Sequence, residues 1–207
     1  MRDTASFWDR HAARYAKRPI KNVEAYEQLV ERTKAHLTGG DHVLEVGCGT
    51  ASLALQLAPG VKRITATDIS SKMLEIGQGK AAAEGIENID FIRARLSDGA
   101  FPAGPFDTVL AFNFLHLVED LPGTIERIHG LLRPGGVFIS KTVCLAEKAR
   151  AWRLLITVMR TLGLAPYVNY LKIHELEGLV RAQGFEIVET GAFPPTFPNR
   201  FIVARKD

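Results

Sequence analysis

Apolar positions recur along the chain with two different spacings, and the first two segments carry the helical one. That spacing predicts a helix over residues 5–16, on one face of which lie Trp8, Ala12 and Tyr15. It also predicts a second helix over residues 23–37. The apolar residues that share its buried face are Tyr26, Leu29, Val30 and Leu37. The glycine-containing stretch 38–41 then ends the helical pattern.

From residue 42 onward, short apolar runs alternate with helical stretches. The runs that predict strands are 42–46, 63–68, 88–94, 106–113 and 137–143. The helical stretches between them are 50–58, 70–84 and 120–132. Strands that alternate with helices in this way indicate βαβ units and a parallel sheet.

The C-terminal part of the chain departs from this alternation. After a long insertion, residues 144–172, come a helix over 174–184 and two strands over 185–193 and 200–206. Because so few residues separate the two strands, they must pair antiparallel. We therefore predict an α/β fold: a doubly wound, Rossmann-like sheet of seven strands, mostly parallel, with an antiparallel C-terminal hairpin at one edge and helices on both faces.

Length and charge narrow the classes of function. The 207 residues suffice for one domain, and a net charge of +3 argues against a nucleic-acid surface. Two cysteines, Cys48 and Cys144, form neither a disulfide framework nor a metal-ligand pattern. Without an apolar signal segment or a membrane-spanning run, we expect a cytoplasmic protein.

The turn after the first strand holds the first candidate site. Gly47 and Gly49 follow that strand directly, where glycine lets the backbone approach a ligand closely. Asp68 ends the second strand and could bind the hydroxyls of a ribose. Glu45 distinguishes between ligands, because a carboxylate would repel a dinucleotide pyrophosphate but attract the ammonium of S-adenosylmethionine (SAM). Ser52 also stands where a dinucleotide fingerprint has its third glycine or alanine.

Four successive motifs strengthen this interpretation. VLEVGCGTASLAL, ATDISSKMLEIGQGKA, FDTVLAFNFLHLVED and LLRPGGVFIS resemble, in order and spacing, the motifs of class I SAM-dependent methyltransferases. The resemblance covers about residues 40–140, and the C-terminal strands are similar to the closing strands of that family. It implies a single domain over 1–207 with an N-terminal helical cover (1–38), a SAM-binding core (40–143), an insertion (144–172) on the acceptor side, and a closing helix and hairpin (173–207).

The resemblance also implies which residues bind the donor. Those expected around its methionine, ribose and adenine are Glu45, Gly47, Cys48, Gly49, Asp68, Ile69, Met73, Leu96, Phe112 and Asn113. Two positions depart from the family pattern. Ala51 replaces a glycine and fits if its φ is negative. Arg95 replaces the acidic residue that contacts the adenine amine, so we expect that contact from the backbone around Leu96 or from Asp98, if it exists.

Other residues are candidates for the acceptor side. His116 follows Asn113 by three residues and is the candidate general base, or else a histidine bonded within its loop. Residues 1–38 either cover the sheet edge or form a lid, in which Trp8, Tyr15 or Arg18 closes the pocket. Tyr170 and His174, after the insertion, are weaker candidates, as is Cys144 after the fifth strand.

The insertion has a broad apolar helical stripe, made by Leu154, Leu155, Val158, Met159 and Leu162, beside Arg153 and Arg160. Three alternatives stay open for residues 151–165: a core helix, a lid over an apolar substrate, or a face for a membrane surface or a second copy. We expect a small-molecule acceptor, no nucleic acid and no metal. A non-catalytic SAM-fold partner and a nicotinamide-dependent oxidoreductase are the alternative functions.

Overall fold

The computed structural model describes residues 4–99, 101–147, 159 and 165–207, and contains seven strands in one sheet. The strands are β1 (His42–Val46), β2 (Arg63–Asp68), β3 (Ile89–Arg93), β4 (Phe106–Phe112), β5 (Leu132–Val143), β6 (Phe185–Gly191) and β7 (Asn199–Lys206). The described helices are α1 (Thr4–Ala16), α2 (Val23–Lys34), α3 (Ser52–Leu57), α4 (Ser71–Glu84), α5 (Leu121–Leu131) and α6 (Ile173–Ala182). Short 3₁₀ turns follow α3 and precede α5.

The sheet has the order β3-β2-β1-β4-β5-β7-β6, and only β7 runs against its neighbours. The predicted seven-stranded fold and the antiparallel pairing of the last two strands are therefore confirmed. Because β4 follows β3 in the chain but lies on the other side of β1, the order of strands reverses between β1 and β4. In doubly wound sheets ligands bind at the carboxyl ends of the strands beside this reversal.

Alternating side chains along the strands give the sheet two apolar faces. On one face, Leu44 and Phe138 pack with α5 and α6 through Ile125, Ile128 and Leu176. On the other, Val43, Leu110 and Phe201 pack with α2 and α3 through buried side chains such as Leu29 and Leu57. Helices thus cover both faces, which leaves the strand ends as the place where a ligand can enter.

The element boundaries differ from the predicted ones by a few residues. α2 ends at Lys34 rather than at residue 37. β5 begins at Leu132 rather than at 137, because Leu132 already pairs with Phe106 of β4, before a shift in register that precedes Val137. The predicted helix over 151–165 lies outside the described residues, apart from Met159 and Ala165. Within the described ranges, no helix is both long and apolar enough to cross a bilayer.

Candidate functional site

A cavity of about 670 Å³ opens at the carboxyl ends of β1, β2, β4 and β5. Its wall holds all ten predicted donor-binding residues: Glu45, Gly47, Cys48, Gly49, Asp68, Ile69, Met73, Leu96, Phe112 and Asn113. Helix α1 contributes to the same wall through Thr4, Trp8 and Tyr15. The structure therefore brings residues of the first three sequence motifs, together with Leu96, around one space.

The turn between β1 and α3 has three residues with positive φ. Gly47 and Gly49 have φ values of 67° and 55°. A Cβ on Gly47 would lie 2.5 Å from Cδ2 of Phe114, so glycine is required there by packing as well as by backbone conformation. Ala51 also has φ 55°, in the left-handed region. The expectation that Ala51 fits with a negative φ is wrong: the turn keeps its glycine-like shape and places an alanine in it.

Glu45 lies in β1 with 3% of its surface exposed. Its Oε2 atom is buried and has no hydrogen-bond partner among the residues that the structure describes. Burial, with a smaller contribution from the nearby Asp68 carboxylate, raises the pKa of Glu45 to about 8. A buried carboxyl group with an unpaired oxygen facing a cavity is suited to binding a cation, whose charge would favour ionisation.

Asp68 ends β2, and backbone N–H groups from two neighbouring turns hold its carboxylate in place. Its Oδ2 accepts a hydrogen bond from the Gly49 N–H at 2.9 Å, and its Oδ1 accepts one from the Ser70 N–H at 2.8 Å. Burial raises the pKa of Asp68, and these backbone hydrogen bonds oppose the shift. Each oxygen keeps a second lone pair, so the fixed carboxylate can still accept hydrogen bonds from two adjacent hydroxyl groups.

The remaining donor candidates differ in polarity. Cys48 is buried, which raises the pKa of its thiol well above the ordinary value and keeps it neutral. Met73 is 2% exposed, lies in the first turn of α4 and lines the same cavity as Ile69. Asn113 has φ 54° and its N–H donates to the Lys141 carbonyl at 2.8 Å. This bond links the ends of β4 and β5 beside the cavity.

Arg95, Leu96 and Ser97 line the cavity after β3. The carboxylate of Asp98 accepts a hydrogen bond from the Arg95 N–H at 3.0 Å, within a turn, and Asp98 is not among the lining residues. Of the two candidates for an adenine contact, the backbone near Leu96 therefore has the better position.

His116 lies in the 3₁₀ turn after β4, but it is not among the residues that line the cavity. Its Nδ1 is buried without a hydrogen-bond partner in the described parts of the chain, and its carbonyl accepts a bond from the Asn169 N–H. Burial, and then the charge of Lys141, lower its pKa to about 4. The imidazole is therefore neutral at pH 7 and weakly basic.

The predicted lid residues separate into two pairs. Trp8 and Tyr15 line the cavity from α1, whereas Arg18 and Tyr170 do not. Tyr167 takes the place expected of Tyr170 on the cavity wall. His174 is exposed at the start of α6, and Cys144 is fully buried outside the cavity wall.

Sequence reasoning missed four side chains around the cavity. Asp9 accepts hydrogen bonds from the Ser70 hydroxyl at 2.6 Å and the Lys72 N–H at 3.2 Å, which fixes α1 on the beginning of α4. Lys80 binds the glycine turn, Phe114 packs on Gly47, and Lys141 lies at the end of β5. Only Lys141 had a signal in the sequence, as a charged residue within the apolar strand pattern of 137–143.

These residues fit SAM. The unpaired buried oxygen of Glu45 suits its ammonium group, and the carboxylate of Asp68 suits its ribose hydroxyls. The apolar wall near Ile69 and Met73 suits an adenine ring. A pyrophosphate would instead face two carboxyl groups, which disfavours a dinucleotide.

Comparisons with known proteins agree with this geometry. Residues 43–136 match the family model described as a methyltransferase domain. The chain is 36% identical over 119 residues to the demethylmenaquinone methyltransferase of Symbiobacterium thermophilum, covering 55% of this chain and 46% of that protein. It is 29% identical over 155 residues to the ubiquinone biosynthesis O-methyltransferase of Aromatoleum aromaticum, covering 72% and 66%.

A crystal structure of an S-adenosylmethionine-dependent methyltransferase from Mesorhizobium loti has the same fold, with a TM-score of 0.71 and 22% identity over 88% of this chain and 98% of that one. In the first curated relative, the chain matches about half of the protein's length. The family match favours a methyltransferase over the alternative of a nicotinamide-dependent oxidoreductase. With strand order, motifs and family match in agreement, residues 43–136 are a methyltransferase domain of the class I SAM-dependent type, for which the methyl donor is S-adenosylmethionine.

Proposed function

We propose that this protein transfers a methyl group from SAM to a small, partly apolar acceptor. The observation that carries the proposal is the placement of Glu45, with its unpaired buried oxygen, and Asp68 on one cavity wall. One is suited to an ammonium group and the other to a ribose, and both occur in SAM. Two relatives named for quinone-related methylations support an apolar ring as the acceptor.

The strand order divides the cavity into two halves. Glu45 and Asp68 belong to β1 and β2, on one side of the reversal, and we place the donor there. The other half lies over β4 and β5, and we place the acceptor there. Its wall has an apolar part formed by Phe101, Phe112, Phe114, Leu117, Val118 and Tyr167, and a charged part formed by Glu119, Asp120, Arg127 and Lys141. The acceptor would enter between α1 and the segment that begins at Ala165.

The residues of the cavity wall would bind and orient SAM and the acceptor, and none of them would form a covalent bond with either. When bound, SAM supplies an electrophilic methyl group on a sulfonium. Glu45 would hold the ammonium end and Asp68 the ribose, while Trp8 and Tyr15 exclude water from above. Positioning of this kind supplies much of the acceleration of a displacement reaction. His116, the candidate base from the sequence, does not line the cavity and has a low pKa, so we assign it no contact with the acceptor.

The proposal is tested by calorimetric titration of the purified chain with SAM, S-adenosylhomocysteine (SAH) and NADH. We expect SAM and SAH to bind and NADH not to bind. Asp68→Ala should abolish binding, whereas Asp90→Ala, which removes an exposed carboxylate at the far end of the sheet, should leave it unchanged. Absence of SAM and SAH binding, or binding of NADH in their place, would contradict the proposal.

A membrane-surface role for residues 151–165 also stays a prediction. It would be supported if the chain sedimented with anionic liposomes and the double substitution Arg153→Glu/Arg160→Glu prevented this.

A further inference from the structure

Three cationic side chains line the described part of the cavity wall: Arg95, Arg127 and Lys141. The two arginines are exposed to solvent, whereas Lys141 is only partly exposed. It stands in β5, paired in register with Phe112 of β4 on one side and with Phe201 of β7 on the other. Of the three cations, Lys141 is therefore the least exposed to water, and it lies in the half of the cavity assigned to the acceptor.

The ammonium group of Lys141 is incompletely paired. Its Nζ donates one hydrogen bond, to Oδ1 of Asn113 at 3.3 Å, although an ammonium has three N–H donors. Among the side chains that the structure describes, which do not include those of Asp3 and Glu147, no carboxylate forms an ion pair with Lys141. Burying a charge without a counter-charge is costly. The burial lowers the pKa of Lys141 accordingly.

The two halves of the cavity differ in their least exposed charged residues, while the exposed Glu119 and Asp120 line the part that follows β4. Glu45 and Asp68 place two carboxyl groups over β1 and β2, whereas Lys141 places a cation over β5. An anionic group of a molecule bound in the acceptor half would supply the counter-charge that Lys141 lacks among the described side chains, and the carboxylate of the donor is the alternative. The apolar wall around that half limits the rest of the molecule to an apolar ring or chain.

We propose that Lys141 binds an anionic oxygen of the methyl acceptor, so that the acceptor is an apolar molecule carrying an acidic hydroxyl or carboxyl group. The inference rests on the proposed function, since it assigns a substrate class to the same site. Lys141 is then a specificity-determining residue: it selects acidic acceptors over neutral ones of the same shape. Bound beside Lys141, an acidic hydroxyl would be held in its ionised, more nucleophilic form.

The test measures selectivity between probes of equal shape, on the purified chain saturated with SAH at pH 8. One pair is 2-naphthoate and naphthalene-2-carboxamide, which report on a carboxylate. The other is 4-nitrophenol, ionised at this pH, and 4-nitroanisole, which report on an acidic hydroxyl. We expect the anion of at least one pair to bind about tenfold more tightly than its neutral partner. The pair that shows the difference identifies the acidic group.

Variants then assign the selectivity to Lys141. Lys141→Met should reduce the ratio to within about twofold, and Lys141→Arg should retain most of it, since arginine keeps the charge. Lys62→Met, which removes an exposed lysine before β2, should leave the ratio unchanged. Thermal melting of each variant verifies that it is folded.

Several outcomes overturn the inference. Equal binding of anion and neutral probe, failure of all four probes to bind, or a ratio that survives in Lys141→Met would each do so. So would a large loss of SAH affinity in Lys141→Met with the ratio intact, because Lys141 would then bind the carboxylate of the donor. If SAH itself fails to bind the wild-type chain, the proposed function fails; if SAH binds but the probes show no selectivity, only the role of Lys141 fails.

Discussion

The Nζ atom of Lys80 lies 3.2 Å from Oγ1 of Thr50 and 3.3 Å from the Thr50 carbonyl oxygen. A third contact, to Oγ of Ser52, measures 3.1 Å. Lys80 belongs to α4, so its side chain joins that helix to both sides of Ala51 in the glycine turn. Because Ala51 has a positive φ, which an L side chain rarely adopts, these contacts hold a strained backbone in the shape that lines the cavity.

Lys80→Met should weaken SAH binding by about three- to tenfold, because the turn loses three hydrogen bonds that fix its conformation. Lys80 acts here as a positioning residue, since it is not among those that line the cavity. Lys72→Met is the matched control on the same helix, where the exposed lysine pairs only with Glu75. Calorimetry with SAH measures both, and equal affinities for the two variants would contradict the prediction.

Glu45→Gln should separate stability from donor binding. The pKa of Glu45 is about 8 in the folded chain and near 4.5 in an unfolded one. Between these values the folded state binds more protons, so the free energy of unfolding falls as the pH rises from about 4.5 to 8. Glutamine does not titrate, so the free energy of unfolding of Glu45→Gln should not show this fall. At pH 9 we expect Glu45→Gln to be more stable than wild type by at least about 1 kcal/mol, yet to bind SAM more weakly.

Urea denaturation at pH 5 and pH 9 measures the first effect of Glu45→Gln, and SAM titration measures the second. Glu27→Gln, on an exposed position of α2, is the control for both. A variant that lost stability at pH 9 would show that Glu45 is ionised and paired within the folded chain.

Acidification should destabilise the chain through His116. Its pKa is about 4 in the folded state and near 6.5 when unfolded, so the unfolded state binds more protons between these values. The stability that a neutral His116 contributes is therefore lost as the pH falls from about 6.5 to 4. We expect wild type to lose about 1 to 2 kcal/mol more than His116→Asn between pH 7 and pH 5. Urea denaturation at both pH values measures this difference, and His42→Asn, at an exposed position, is the control.

Helix α1 should open when its contact with α4 is removed. Asp9→Ala deletes the acceptor of two hydrogen bonds, whereas Asp9→Asn keeps an oxygen that can accept both. Trypsin should cleave Asp9→Ala after Arg10 or Arg14 several-fold faster than Asp9→Asn, because local opening exposes the helix to the protease. Mass spectrometry of short digests measures these rates. Equal cleavage of the two variants would mean that other contacts fix α1.

The sheet and the donor side of the cavity could be predicted because each depends on a local pattern. Strands in parallel sheets are short apolar runs, and the glycine turn, Glu45 and Asp68 occupy fixed places relative to the first two strands. Knowing where β1 and β2 end is enough to place these residues on one edge. The fold and the family were therefore predictable and are confirmed.

The other side of the cavity depends on tertiary contacts, which the sequence pattern does not specify. Tyr167 and Tyr170 are three residues apart in an irregular segment, and no periodicity indicates which of them faces inward. A negative φ was the condition under which Ala51 was expected to fit, and the structure has a positive φ instead; the contacts from Lys80 to Thr50, thirty residues apart, are invisible in the local sequence. The insertion helix over 151–165 lies outside the described residues and its role stays a prediction.

The position of β7 affects how the chain can fold during synthesis. β7 lies between β5 and β6 and contributes the fully buried Phe201 and Val203, although it is made after both neighbours. Until residues 199–206 leave the ribosome, β5 has one unpaired edge, which invites pairing with other chains. The donor half, over β1 and β2, can assemble earlier, because these strands pair with each other, with β3 and with β4 through contacts nearer in sequence. A nascent chain would therefore have a formed donor edge before its acceptor edge is complete, and holding that open edge apart from other strands is a task for chaperones.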